Sequence, residues 1–135
     1  MIGQSPITWC SRKQRTIALS SMEAAYMALC HGTHEAIWLQ SLLAELGYAQ
    51  GTIEINADSQ AVMNLANNPV MHGWSKHIDI QYHFTCEKIV SNEITVNPCA
   101  SENNLADIFT KALAKLQHDH LTNGLGIAVR VEGEC

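Results

Sequence analysis

The stretch Ile53-Glu54-Ile55-Asn56-Ala57-Asp58-Ser59-Gln60 decides how this chain is read. From Thr52 to Ala57 apolar and polar side chains alternate, the period of a half-buried strand, and a short helical pattern carrying Val62, Leu65 and Ala66 then runs up to Pro69. Asp58 therefore falls at a strand-to-helix junction. A second carboxylate, Asp107 in Asn104-Leu105-Ala106-Asp107-Ile108-Phe109-Thr110-Lys111, lies inside another helical pattern. Carboxylates delivered by a strand end and a helix from distant parts of a chain suit a divalent ion in phosphodiester chemistry. Mg²⁺ is held by a few carboxylates together with substrate phosphate oxygens.

Upstream of this strand, Ser20 to Glu23 form a capping-box pattern that opens a long helix running to about Leu46 and stopped by Gly47. A seam through Ala25, Ala28, Leu29, Gly32, Ala36, Leu39 and Leu43 is expected to face a sheet. Pro6 to Leu19 read as extended, one bent strand or two short ones, with Ile7, Trp9, Ile17 and Leu19 as the apolar positions. Downstream, Ile78, Tyr82, Cys86 and Ile89 fall at helical spacing, and Glu93 to Asn97 alternate as a strand. A helix after Ser101 would bury Leu105, Ile108, Phe109 and Ala112, and an amphipathic stretch near Leu113 to Leu125 precedes the tail. This order predicts an α/β fold, a mixed sheet flanked by helices.

With 135 residues, 47% hydrophobic and 16% charged, the chain is expected to form one globular domain with its own core. The apolar runs are too short to cross a membrane, and the amino-terminal residues lack a leader pattern, so an intracellular setting, cytoplasmic or nuclear, is expected. The five cysteines form no CxxC pair or regular framework and are expected to be reduced and buried. A net charge of −5 is awkward for a nucleic-acid binder, whose affinity comes mostly from Lys and Arg. The local exception is Arg12-Lys13-Arg15, which reads either as a solvated strand turn or as a phosphate-positioning loop. Cys30, His31, His34, His118 and His120 match no zinc spacing. Trp9, Trp38 and Trp74 read as core or cover.

Five ordered stretches are more specific: SRKQRTIALSSMEAAYMAL (11–29), EAIWLQSLLAELG (35–47), INADSQAVMNLANNPV (55–70), KHIDIQYHF (76–84) and NNLADIFTKAL (103–113). Together they resemble the ribonuclease H domain that closes the Pol polyprotein of copia-type retrotransposons, from about Pro6 to Gly126. The resemblance implies a ribonuclease H-like fold. It also implies cleavage of the RNA strand of an RNA–DNA hybrid by two Mg²⁺ ions, or Mn²⁺, held by four carboxylates. Asp58 and Asp107 match two of these. Lys76 and His77, like Arg12, Lys13 and Arg15, would then touch the nucleic-acid backbone, although packing or local hydrogen bonding is the simpler reading of the Lys76–His77 pair.

The match also has departures. The family's first two strands and its first catalytic aspartate have no counterpart between Met1 and Ser5, so the domain is expected to be truncated at its start. On the long helix the family carries two glutamates spaced by one residue. Glu23 keeps the first, but Ala25 stands at the second. These two positions lie about 200° apart around a helix and cannot both face one ion. Because residue 25 shares the expected sheet-facing seam, Glu23 reads more simply as the reciprocal half of the capping box, with metal ligation as its other reading. Two carboxylates would then remain, so hybrid cleavage is expected to be weak or lost, and the alternative is a repurposed protein- or nucleic-acid-binding module. A sheet lacking two strands exposes a polar edge. Residues 127–135, a tail with an alternating Ile127 to Val131 run, would fill that edge as an added strand, or a second copy would do so in a strand-exchanged homodimer.

Overall fold

The computed structural model describes residues 6–11, 13–14, 17–60, 62 and 76–127, with side chains in the last stretch from residue 80 onward. Its elements are α1 (Ser21–Glu45), β1 (Ile53–Ala57), α2 (Lys76–Val90), β2 (Ile94–Pro98), two 3₁₀ turns (Ser101–Asn103 and Leu105–Phe109) and α3 (Lys115–Gly124). The described residues thus form a mixed α/β arrangement of three α-helices and a two-stranded parallel sheet. The chain divides into two compact units, Gln14–Cys99 and Met1–Lys13 with Ala100–Cys135.

In the first unit β1 and β2 pair in the register Ile53↔Ile94 to Ala57↔Pro98. Ile53 N–H donates to the Glu93 carbonyl and Cys99 N–H to the Ala57 carbonyl, both at 2.9 Å. In a parallel ladder this turns the peptide groups of Ile53, Ile55 and Ala57 toward β2 and those of Glu54 and Asn56 toward the opposite edge. Pro98, at the end of β2, has no N–H to offer on that strand's outer side. Ile55, Ala57 and Val96 pack against a core of Tyr26, Leu29, Cys30, Val62 and Tyr82 from the flanking helices. Glu54, Asn56 and Thr95 are exposed, so the β-branched alternation seen in the sequence becomes a sheet with one covered face.

Both ends of α1 follow local chemistry. Ser20 Oγ accepts from Glu23 N–H at 3.1 Å, which makes it the N-cap. At the other end Gly47 N–H donates to Ala44 O (3.0 Å) and Tyr48 N–H to Leu43 O (2.8 Å). This closing pattern needs the left-handed φ of +86° that Gly47 adopts. Asn92 (φ +58°) and Gly126 (φ +67°) close α2 and α3 in the same way.

Three expectations change. The fully buried face of α1 is Glu23, Tyr26, Leu29, Cys30 and Thr33; of the expected seam Leu29 is buried and Ala25 packs against the core, whereas Ala28 is exposed and Gly32 only half-buried. The helix is turned because α2 meets it through the Tyr26 and Tyr82 rings, whose centroids lie 5.4 Å apart. Among the described residues of Pro6 to Leu19 there is no strand, and Ile17 and Leu19 are 91% and 87% exposed. An isolated extended run without a neighbouring ladder gains nothing from strand geometry. Asp107 lies in a 3₁₀ turn instead of an α-helix, and Ala112 is exposed beyond its end. Residues 128–131 of the tail run lie outside the described residues.

Candidate functional site

Asp58 follows the last residue of β1, is exposed, and belongs to the Gln14–Cys99 unit. In the same unit Glu23 is 4% exposed, one turn before Tyr26 on the inward face of α1. Its Oε2 accepts from Leu19 N–H at 2.5 Å, one residue earlier than the Ser20 N–H that a capping box would engage. The cap and the inward face are therefore not alternatives: the same side chain has both. Residue 25 does pack against the core, as expected, but residue 23 is buried as well, because the fully buried stripe passes through residues 23, 26, 29, 30 and 33.

Asp107 belongs to the second unit and is 8% exposed. The Asn104 side chain accepts from Ala106 N–H at 3.2 Å, and Asp107 N–H donates to Asn104 O at 3.0 Å, which fixes the tight turn. Lys111 Nζ lies 2.6 Å from Asp107 Oδ2, so an ammonium already sits on this carboxylate. Lys111 was not among the expected site residues, yet the Asp-to-Lys spacing of four was visible in the sequence. In the same unit Trp9 stacks on Phe109 with centroids 6.1 Å apart and remains 65% exposed. It is neither core nor a buried cover, and Trp38 at 59% is not core either.

Of the expected nucleic-acid contacts, Lys13 is exposed. Arg12 and Arg15, Trp74, and the side chains of Lys76 and His77 lie outside the described residues. His34 stacks flat on Phe84 at 4.4 Å, and His120 Nε2 lies 3.2 Å from Asn103 Oδ1. Among the described residues no three His, Cys, Asp or Glu side chains gather as a metal set. Carboxylate oxygens are the donors a hard divalent ion prefers, but a two-ion centre needs more of them in one place than these residues supply. Among the described residues, the donor set does not fit a two-ion centre.

Sequence reasoning missed a buried polar cluster between α1 and α2. Cys30 Sγ and Thr85 Oγ1 both donate to the Gln81 carbonyl, at 3.6 and 3.0 Å, and lie 3.3 Å from each other. Tyr26 Oη donates to the Tyr82 carbonyl at 3.4 Å. Burial pushes the Cys30 thiol and the Tyr26 and Tyr82 phenols above their ordinary ranges, so all three stay protonated at neutral pH. These groups bind the two helices together and offer no nucleophile. At the C-terminal end of α2, the Lys88 ammonium and the Ser91 hydroxyl hold the Glu93 carboxyl below the usual glutamate range.

Two parallel strands with a helix between them in sequence define an α/β protein, and Asp58 stands just beyond the first strand. The chain is homologous to a segment of retrovirus-related Pol polyproteins of transposons. It is 33% identical over 135 residues to the Pol polyprotein from transposon RE2 of Arabidopsis thaliana, covering 99% of this chain and 9% of that protein. Identity to the Pol polyprotein from transposon TNT 1-94 of Nicotiana tabacum is 36% over 109 residues, 81% of this chain and 8% of that protein. The Pol polyprotein from transposon RE1 of Arabidopsis thaliana matches at 34% over 127 residues, 93% of this chain and 9% of that protein. The chain thus spans less than a tenth of the length of these relatives. No family model matches it, and no solved structure gives a significant match. Among the described residues no helix is long and apolar enough to cross a membrane.

Proposed function

We propose that this chain corresponds to the ribonuclease H-like part of a retrotransposon Pol polyprotein, and that its cleavage of RNA in RNA–DNA hybrids is weak or lost. The observation that carries the reading is the placement of Asp58 directly after a strand in a parallel pair, with Glu23 on the inward face of the helix that covers that sheet. The Pol relationship and the ordered motifs support it. Asp58 and Asp107 would be the surviving ligands and Glu23 a third. Its carboxylate is held by the helix cap, and that of Asp107 by Lys111. A net charge of −5 also opposes approach of a hybrid's phosphates unless basic groups are concentrated on one face.

The test is cleavage of an end-labelled RNA–DNA hybrid in Mg²⁺ and in Mn²⁺, with Asp58→Asn as the control for contaminating nuclease. The reading expects little or no product above that control. Strong cleavage abolished by Asp58→Asn would mean that the carboxylates assemble a working site, and the claim of weakened activity would fail.

A further inference from the structure

The C-terminal half of α1 has an apolar surface that the nuclease reading does not use. Beyond Thr33 no residue of α1 is buried. Trp38, Leu42 and Leu46 recur every fourth residue and are 59%, 38% and 64% exposed. Side chains at this spacing share one helix face over about 12 Å. A contiguous apolar ridge of this kind on a folded protein marks an interaction site more often than a scattered exposed leucine does.

Charge narrows the occupant. Ser21–Glu45 contains no Lys or Arg, and the exposed carboxylates Glu35 and Glu45 lie near the two ends of the ridge. The last turn of α1, whose free carbonyls carry partial negative charge, has no basic residue to offset it. Beside the ridge, His34, Glu35 and Trp38 line an open depression. The His34 wall is held by its stack on Phe84, and Lys88 Nζ sits 5.7 Å from the centre of that ring. An exposed indole next to a carboxylate is a seat for an ammonium or guanidinium group, which gains from both the ring face and the charge. A second copy fits poorly. Paired antiparallel, Glu35 of one helix would face Glu45 of the other; paired parallel, each glutamate would face itself, and α1 has no cation to separate them. Nucleic acid would be repelled by the same carboxylates.

We propose that the Trp38–Leu42–Leu46 ridge docks an amphipathic helix of another protein whose apolar face is bordered by Lys or Arg, one of which sits over Trp38 against Glu35. This is the helix-against-helix mode of recognition, with apolar anchors for affinity and rim charges for orientation.

The probe is a fluorescein-labelled Leu/Lys peptide of amphipathic helical pattern, with a Leu/Glu peptide of the same pattern as its counterpart. Both are titrated with the full chain and followed by anisotropy. The Leu/Lys peptide should bind at least tenfold more tightly. Trp38→Ala should weaken it at least tenfold, whereas Ile80→Ala, at a position 69% exposed on α2, should leave it unchanged. Glu35→Lys combined with Glu45→Lys should reverse the peptide preference. That pair decides the matter if Trp38→Ala loses helical circular dichroism, because it alters exposed carboxylates alone. Equal binding of both peptides, indifference to the glutamate reversals, or a concentration-dependent dimer abolished by Trp38→Ala would overturn the proposal.

Discussion

Replacing Glu23 separates its two roles, because the cap and the inward face make different demands on the side chain. Glu23→Ala removes the acceptor of the 2.5 Å bond from Leu19 N–H and the negative charge in the first turn of α1. A hydrogen bond to a charged group contributes about 1.5–3 kcal/mol and a first-turn carboxylate about 0.3–1 kcal/mol, so the loss should be about 2–3 kcal/mol. Glu23→Gln keeps an oxygen in the same place and should cost about 1 kcal/mol, mainly the charge assistance. Ser20→Ala, which removes the 3.1 Å partner of Glu23 N–H, should also cost about 1 kcal/mol. Since Ser20 and Glu23 share one cap, the double variant should lose less than the sum of the singles. Urea denaturation followed by circular dichroism at 222 nm measures all four, with unchanged m-values as the check that one transition is being compared. Equal losses for Ala and Gln, or a loss below about 0.5 kcal/mol for Ala, would refute the claim that this carboxylate secures the helix start.

Other consequences are as direct. Native-state alkylation with iodoacetamide at pH 8, read by mass spectrometry, should modify exposed Cys10 rapidly and spare Cys30, whose thiol is buried and pushed above its ordinary range. Amide exchange should be faster at Glu54 and Asn56, whose peptide groups point away from β2 to an edge with no partner among the described residues, than at Ile55 and Ala57, which face β2. Equal protection would mean that another strand occupies that edge. The carboxyl of Glu93 is depressed by Lys88 and Ser91. Its contribution is therefore complete above the pH where an unfolded glutamate titrates and is lost as pH falls through the lower folded value. Lys88→Met should flatten that acid-side loss in denaturation midpoints measured from pH 6 to pH 3.

How much of this was legible depended on how local the cause was. β1 and β2 could be read from strict alternation at Ile53, Ile55, Ala57 and at Ile94, Val96, and both lie within a residue or so of the expected limits. The ends of α1 could be read from Ser20 and Gly47, each of which performs one identifiable hydrogen-bonding task. The rotation of α1 could not. Two polar residues, Glu23 and Thr33, lie on its buried face, and a hydrophobic pattern assigns such positions to solvent. Glu23 is buried because Leu19 N–H satisfies it, a contact across a helix start that no periodicity encodes. The turn around Asp107 was misread for a different reason: over five residues, apolar positions at 105, 108 and 109 fit a 3₁₀ turn as well as an α-helix. Ring size favours burial, yet Trp9, stacked on Phe109, and Trp38 stay 65% and 59% exposed.

On the proposed function, the described carboxylates of this chain do not make a two-ion centre. Counting bound Mn²⁺ by electron paramagnetic resonance, with the full chain titrated into a fixed concentration of the ion, tests it without relying on turnover. No more than one weakly held ion per chain is expected, released by Asp58→Asn. Two ions per chain, both released by Asp58→Asn, would contradict it.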